Sequence, residues 1–186
     1  MQHKLITLFV AVILHSVVFS QPLFITRTGS IQFFSKTPLE DIKAVNKNVY
    51  SSLNTATGAL QFLVQIPKFE FRYSAMRNHF NDEDYMDSKK YPTADFKGKI
   101  TDLSTVDFTK NGSYNVNIEG SLTIHGVTKT IKTPASITVN NGQITGASTF
   151  SVKIEEYNIV PPKIMFKKIA EIVEVTVNCI YTPYKN

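Results

Sequence analysis

The 186-residue chain has one cysteine, Cys179, so no intramolecular disulfide can form even where an oxidising compartment would permit one. Cys179 lies in VEVTVNCIY, in phase with Val173, Val175 and Val177, and reads as a small buried hydrophobe rather than a reactive nucleophile. Tryptophan is absent and histidine is scarce; of His3, His15, His79 and His125, the first two fall in an N-terminal stretch expected to be removed. The sequence contains no G-x-S-x-G, H-E-x-x-H, C-x-x-C or phosphate-cradling glycine loop. Two histidines and one cysteine leave little to complete the nitrogen and sulfur shell of a transition metal. These gaps point away from an enzyme. No catalytic residue, metal or cofactor is expected.

Long hydrophobic runs are also missing, except at the start. Lys4 precedes a stretch from Leu5 to Phe19 that is apolar apart from Thr7, His15 and Ser16. That is short of the roughly 20 residues a membrane span requires, and Val18-Phe19-Ser20 resembles a signal cleavage site. The expectation is a secretory signal peptide over 1–20, leaving a single domain over 21–186 that is periplasmic or secreted and has no integral membrane segment. The formal charge of +5 falls to +4 when Lys4 is removed with the leader. The basic residues are scattered rather than clustered, which gives no support to a nucleic-acid site.

The dominant period along the chain is two. Leu60, Phe62, Val64 and Ile66 alternate with more polar neighbours, as do Tyr114, Val116 and Ile118, then Phe150, Val152 and Ile154, then Val173 to Cys179. Such alternation marks half-buried antiparallel strands. Turn signals at Asn111-Gly112, His125-Gly126 and Asn141-Gly142 predict regularly spaced hairpins closed into a barrel or folded as a sandwich. Between residues 74 and 90, Met76 and Phe80 recur at helical spacing and Pro92 bars continuation, which predicts one or two short helices in a connection. Asp82, Glu83, Asp84 and Asp87 lack the glycine and distal glutamate of a calcium loop and read as a solvated acidic face.

His125 is the histidine most open to a functional reading. A two-residue loop at His125-Gly126 places Ile124 opposite Val127, and histidine tolerates positive φ better than most residues, so it is read as a turn residue. The same register sets Leu122 opposite Lys129 and puts a lysine on an otherwise apolar face. A position near an open barrel end, where its ammonium reaches water and could meet an anionic head group, resolves that conflict; a longer loop with a shifted register is the alternative.

Three runs, YMDSKKYPTADFKGKI (Tyr85 to Ile100), GSLTIHGVTKTI (Gly120 to Ile131) and FSVKIEEYNIVPP (Phe150 to Pro162), together resemble the YceI-like family of exported bacterial proteins. The resemblance implies an all-β, eight-stranded antiparallel, lipocalin-like barrel around a long apolar cavity that binds a polyisoprenoid or other long-chain lipid. Barrels of about eight strands are wide enough to hold one small ligand. The apolar phase of each strand nominates Phe62, Val64, Phe96, Leu122, Ile124, Phe150, Val152, Val175 and Val177 as lipid-binding lining, with Lys129 at the mouth. Three other readings predict different things. A structural or stress-related interaction protein would have a filled barrel, an enzyme would convert a lipid-like substrate, and an outer-membrane barrel would have a polar lumen.

Overall fold

The computed structural model describes residues 22–37, 41–161 and 170–185. The described residues form nine strands: β1 (Leu23–Lys36), β2 (Asp41–Asn54), β3 (Ala59–Gln65), β4 (Glu70–Phe71), β5 (Thr93–Ile100), β6 (Gly112–Ile124), β7 (Val127–Asn140), β8 (Gln143–Lys153) and β9 (Ile172–Pro183). Neighbours pair antiparallel in the order β1-β9-β8-β7-β6-β5-β3-β2, and β2 pairs back onto β1, which closes an eight-stranded barrel. The two-residue β4 extends the line of β3 beyond a 3₁₀ turn, Ile66–Lys68, and pairs with β2 at Ala44 and Val45. Closure pairs most of the sheet margin that would otherwise invite aggregation.

Alternation sets the two faces. The inward positions Val116, Ile118 and Leu122 of β6 and Ala135, Ile137 and Val139 of β7 are buried, while Lys97, Lys99, Glu119 and Lys132 point to solvent. A lipid-embedded barrel shows the reverse pattern.

Turn chemistry explains most of the connections. His125 has φ 51° and Gly126 φ 73°, and the register pairs Ile124 with Val127 and Leu122 with Lys129. Asn141 and Gly142 repeat this geometry between β7 and β8. The expected hairpin at Asn111-Gly112 does not form, because the β5–β6 connection runs from residue 101 to 111 and neither residue has positive φ. The Asn111 side chain instead clamps the neighbouring turn: its Oδ1 accepts from Asn141 N at 2.8 Å, and its Nδ2 donates to Asn141 Oδ1 at 3.1 Å. A turn not anticipated from sequence joins β2 to β3. There Asn54 Oδ1 accepts from Ala56 N and Thr57 N, and Gly58 takes φ 73°.

The β7–β8 ladder covers only part of both strands, ending at Ala135 opposite Ser148. Its limit is set by Pro134. On β6, Asn117 directs its N–H to Asp102 Oδ1 and its C=O to Thr101 N, away from β7, so the backbone groups of its partner Pro134 face β8. Proline has no N–H to offer there, and its carbonyl accepts from Ser148 Oγ at 2.8 Å instead. Beyond this point the chain leaving β8 turns through a 3₁₀ segment, Ile154–Tyr157, which packs against β7 and buries Tyr157. His125 Nδ1 donates to Tyr157 O at 3.1 Å, tying the β6–β7 turn to that segment.

Candidate functional site

One helix forms in the connection ahead of β5: α1 (Ser74–Asn81), after which residues 82–90 run as turns. Its N-cap, Tyr73, makes no side-chain capping bond, and none of its residues is fully buried. Eight residues are too few for a helix to stand alone in water, so tertiary contact holds it. Phe80 provides that contact by wedging among Phe33, Phe69 and Phe71 at centroid distances of 5.3, 5.6 and 5.1 Å. Such ring pairs contribute about 0.5–1.5 kcal/mol each beyond the area they bury.

Beneath α1 lies a cavity of about 530 Å³, within the roughly 300–1,000 Å³ usual for small-molecule sites. Its walls come from Ile31 and Phe33 of β1, Val64 of β3, Ala94 of β5, Leu122 and Ile124 of β6, Phe150 and Val152 of β8, and Val173 and Val175 of β9. Ile159 and Pro161 add to the wall beyond the 3₁₀ segment, and Met76, His79, Phe80, Tyr85 and Met86 close over it from the α1 side. It opens beside α1, where the lining residues Tyr73 and His79 are exposed.

The lumen below is filled. Phe62 and Phe96 meet edge to face at 6.3 Å, and the Phe96 ring crosses Gly98 and Gly120. A Cβ on either glycine would come within 2.5–2.7 Å of its Cζ, so the absent side chains make room for the ring. Further down, Leu53, Ile100, Ile118, Ile144 and Tyr181 are buried, and Leu103, Val106 and Phe108 of the β5–β6 connection pack against this core. A small void of about 30 Å³ lies among them. Tyr181 shares a 2.8 Å hydrogen bond with Ser51 Oγ, and burial, reinforced by Cys179, pushes its phenol far above the usual range. Burial likewise raises the Cys179 thiol to about 11. Both groups lie in the packed half, away from the cavity.

Six of the nominated residues, Val64, Leu122, Ile124, Phe150, Val152 and Val175, are brought together on the cavity wall. Phe62 and Val177 border the small lower void, and Phe96 is buried between the two spaces. Lys129 keeps its inward register but is exposed and does not line the cavity. The ladder between β7 and β8 has already ended at its level, so its ammonium reaches water. Sequence reasoning missed Ile31, Phe33, Phe69, Phe71, Tyr85 and Met86 on the lining. The Met76 and Phe80 spacing was the available signal for a wall on the helix side. Among the described residues, no three acidic, histidine or cysteine side chains gather to hold a metal.

Comparison with known proteins extends this geometry. The chain resembles, with a TM-score of 0.76 and 13% identity, a polyisoprenoid-binding domain from Saccharophagus degradans implicated in plant cell wall breakdown, over 88% of this chain and 99% of that one. It resembles Burkholderia cenocepacia BcnA at TM-score 0.69 and 19% identity, over 83% and 96%. For the Campylobacter jejuni YceI protein the values are 0.51 and 18%, over 99% and 95%. At these identities the likeness speaks for the fold alone. None of the curated proteins matches the chain. The YceI-like domain, as a family model, matches residues 16–180, nearly the whole sequence, and the chain belongs to the YceI-like family.

Proposed function

We propose that this protein is exported and binds a polyisoprenoid or other long-chain amphiphile in the upper half of its barrel, sequestering or carrying it without chemical conversion. The observation that carries this reading is the cavity itself, an opening of about 530 Å³ walled by apolar strand residues and aromatic rings. The polyisoprenoid-binding neighbour from Saccharophagus degradans supports the ligand class. Each 100 Å² of tail surface moved out of water contributes about 2.5 kcal/mol, so binding requires few polar contacts. A wholly filled barrel, as the interaction-protein reading requires, does not leave space of this size.

A non-enzymatic role accords with where the reactive groups lie. Cys179 is sealed in the packed half with its thiol raised to about 11. His125 is held at the hairpin turn by Tyr157. Export rests on the apolar run after Lys4, which lies outside the described residues.

The test is mass spectrometry of an organic-solvent extract of the protein, recovered without detergent from a bacterial periplasm. A stoichiometric prenyl, quinone or fatty-acyl species is expected, with the mature chain beginning at Gln21. An empty extract and no uptake of added isoprenoid would sink the binding reading. An uncleaved N-terminus would sink export.

A further inference from the structure

The sheet splits along one seam. β7 and β8 pair only as far as Ala135 and Ser148, although β7 begins at Val127 and β8 runs on to Lys153. A hydroxyl cluster finishes the ladder: Ser148 Oγ donates to Pro134 O at 2.8 Å and lies 3.2 Å from Thr133 Oγ1. Past that point β7 keeps only its partner β6, so it stays extended with one margin free. The phase of Pro134 repeats every second residue, which points the N–H and C=O groups of Thr128, Thr130 and Lys132 into the seam, while those of Lys129 and Ile131 bond to β6. Among the described residues these seam-facing backbone groups have no hydrogen-bond partner. Thr128, Lys129, Thr130 and Lys132 are all exposed, so the margin lies open to water.

A free strand margin is a template for another strand. Backbone pairing supplies the attraction, and alternate side chains supply the choice of partner. Here the choice falls to lysines, Lys132 on the outer face of β7 and Lys129 on the inner, and neither forms an ion pair among the described residues. Glu119 stands opposite Lys132 on β6 without closing a salt bridge, and Lys99 on its other side offsets its charge. Across the seam, Lys153 of β8 is already taken by Glu155. The free cations therefore belong to β7. A second copy of this margin would bring its own lysines against them, which is how lysine guards a sheet margin from self-pairing. The same charge favours an acidic strand.

We propose that β7, over residues 128–132, is a docking margin for an extended acidic segment of a partner protein, which adds to it as an antiparallel strand. The segment presents one carboxylate opposite Lys132 on the outer face, an apolar residue opposite Ile131, and a second carboxylate opposite Lys129. No residue of this stretch lines the cavity, so the inference goes beyond the lipid-binding reading and stands or falls without it.

The probe is the end-blocked peptide Glu-Val-Thr-Glu-Thr, whose order matches Lys132 back to Thr128, with a twin in which lysine replaces both glutamates. Each is titrated into the protein at low and high salt, and residue-resolved amide hydrogen exchange is the readout. Exchange at Thr128, Thr130 and Lys132 should slow with the acidic peptide, while Lys129 and Ile131, already bonded to β6, hardly change. The acidic peptide should bind about tenfold tighter than its twin at low salt, with the gap narrowing at high salt. Lys129→Glu with Lys132→Glu should reverse that preference. Thr130→Pro should abolish the slowing without loss of fold, since Pro134 already occupies the same phase of the strand; a thermal melt checks the fold, and the charge-reversed variant decides if it is lost. Equal binding of the two peptides, or no slowing at millimolar acidic peptide, would overturn the inference. Slowing that needs no peptide and grows with protein concentration would give the margin to a second copy and overturn it as well.

Discussion

At position 125 the backbone needs a residue that accepts positive φ, and histidine meets that need at φ 51°. Its ring does a second task, donating to Tyr157 O and packing on Tyr91 at a centroid distance of 4.4 Å. His125→Asn should keep the turn and cost at most about 1 kcal/mol. His125→Val, β-branched at the same φ, should cost about 1–2 kcal/mol in a denaturant melt. Equal melts for the two variants would remove the backbone explanation. The turn was legible in sequence because it depends on two adjacent residues. Lys129 was half legible: its inward register follows from the turn, but its exposure depends on Pro134, whose effect appears only once β8 is known to be the neighbour on that side.

Cys179 offers a second test at this scale. Its thiol sits at about 11 in the folded protein, whereas a free thiol titrates near about 8.5. Between these values the unfolded chain gives up a proton that the folded chain keeps, so stability falls as pH rises through that window and is fully present below it. The loss should reach about 3 kcal/mol by pH 11, and Cys179→Ala should flatten the slope across pH 9–10. An unchanged slope would show that folding does not raise the thiol above its free value.

Among the elements, α1 is the least self-sufficient. It lacks a side-chain N-cap and a buried face, and its hold on the barrel runs through Phe80. Phe80→Ala should cost about 1–3 kcal/mol, less than a full core truncation because the ring is half-buried. Hydrogen exchange should quicken in residues 74–86 while β6 and β7 stay protected. Uniform loosening would mean the helix is integral to the barrel's folding. The spacing of Met76 and Phe80 revealed the helix, but not that it roofs a cavity. That role depends on Phe33, Phe69 and Phe71, brought from three separate strands and turns. Asn111-Gly112 misled for a comparable reason: the pair suits a tight hairpin, yet Leu103, Val106 and Phe108 have core to cover, and the connection lengthens to reach it.

Across the whole molecule the barrel is divided, packed below Phe62 and Phe96 and open above them. Sequence alternation identified the inward face of each strand without saying which inward residues meet one another and which meet space. Substitutions should therefore separate by level. Leu53→Ala, in the packed half, should cost about 2–5 kcal/mol and leave ligand capacity unchanged. Val152→Phe, on the cavity wall, should fold normally and shorten the longest tail accepted, read from a titration series of graded chain length. If Leu53→Ala lengthened the accepted tail instead, the two spaces would be continuous.

The floor of Phe62 and Phe96 has a kinetic consequence. A lumen sealed at that depth is a cup and not a pipe, so whatever enters must leave by the same rim. Cargo cannot be threaded from a donor on one side to an acceptor on the other, and the two cannot engage the rim at once. Transfer by such a vessel is obligatorily sequential: load, detach, diffuse, unload. If the proposed carrier role holds, its rate would be governed by dissociation and travel of the loaded protein, not by any bridge between donor and acceptor.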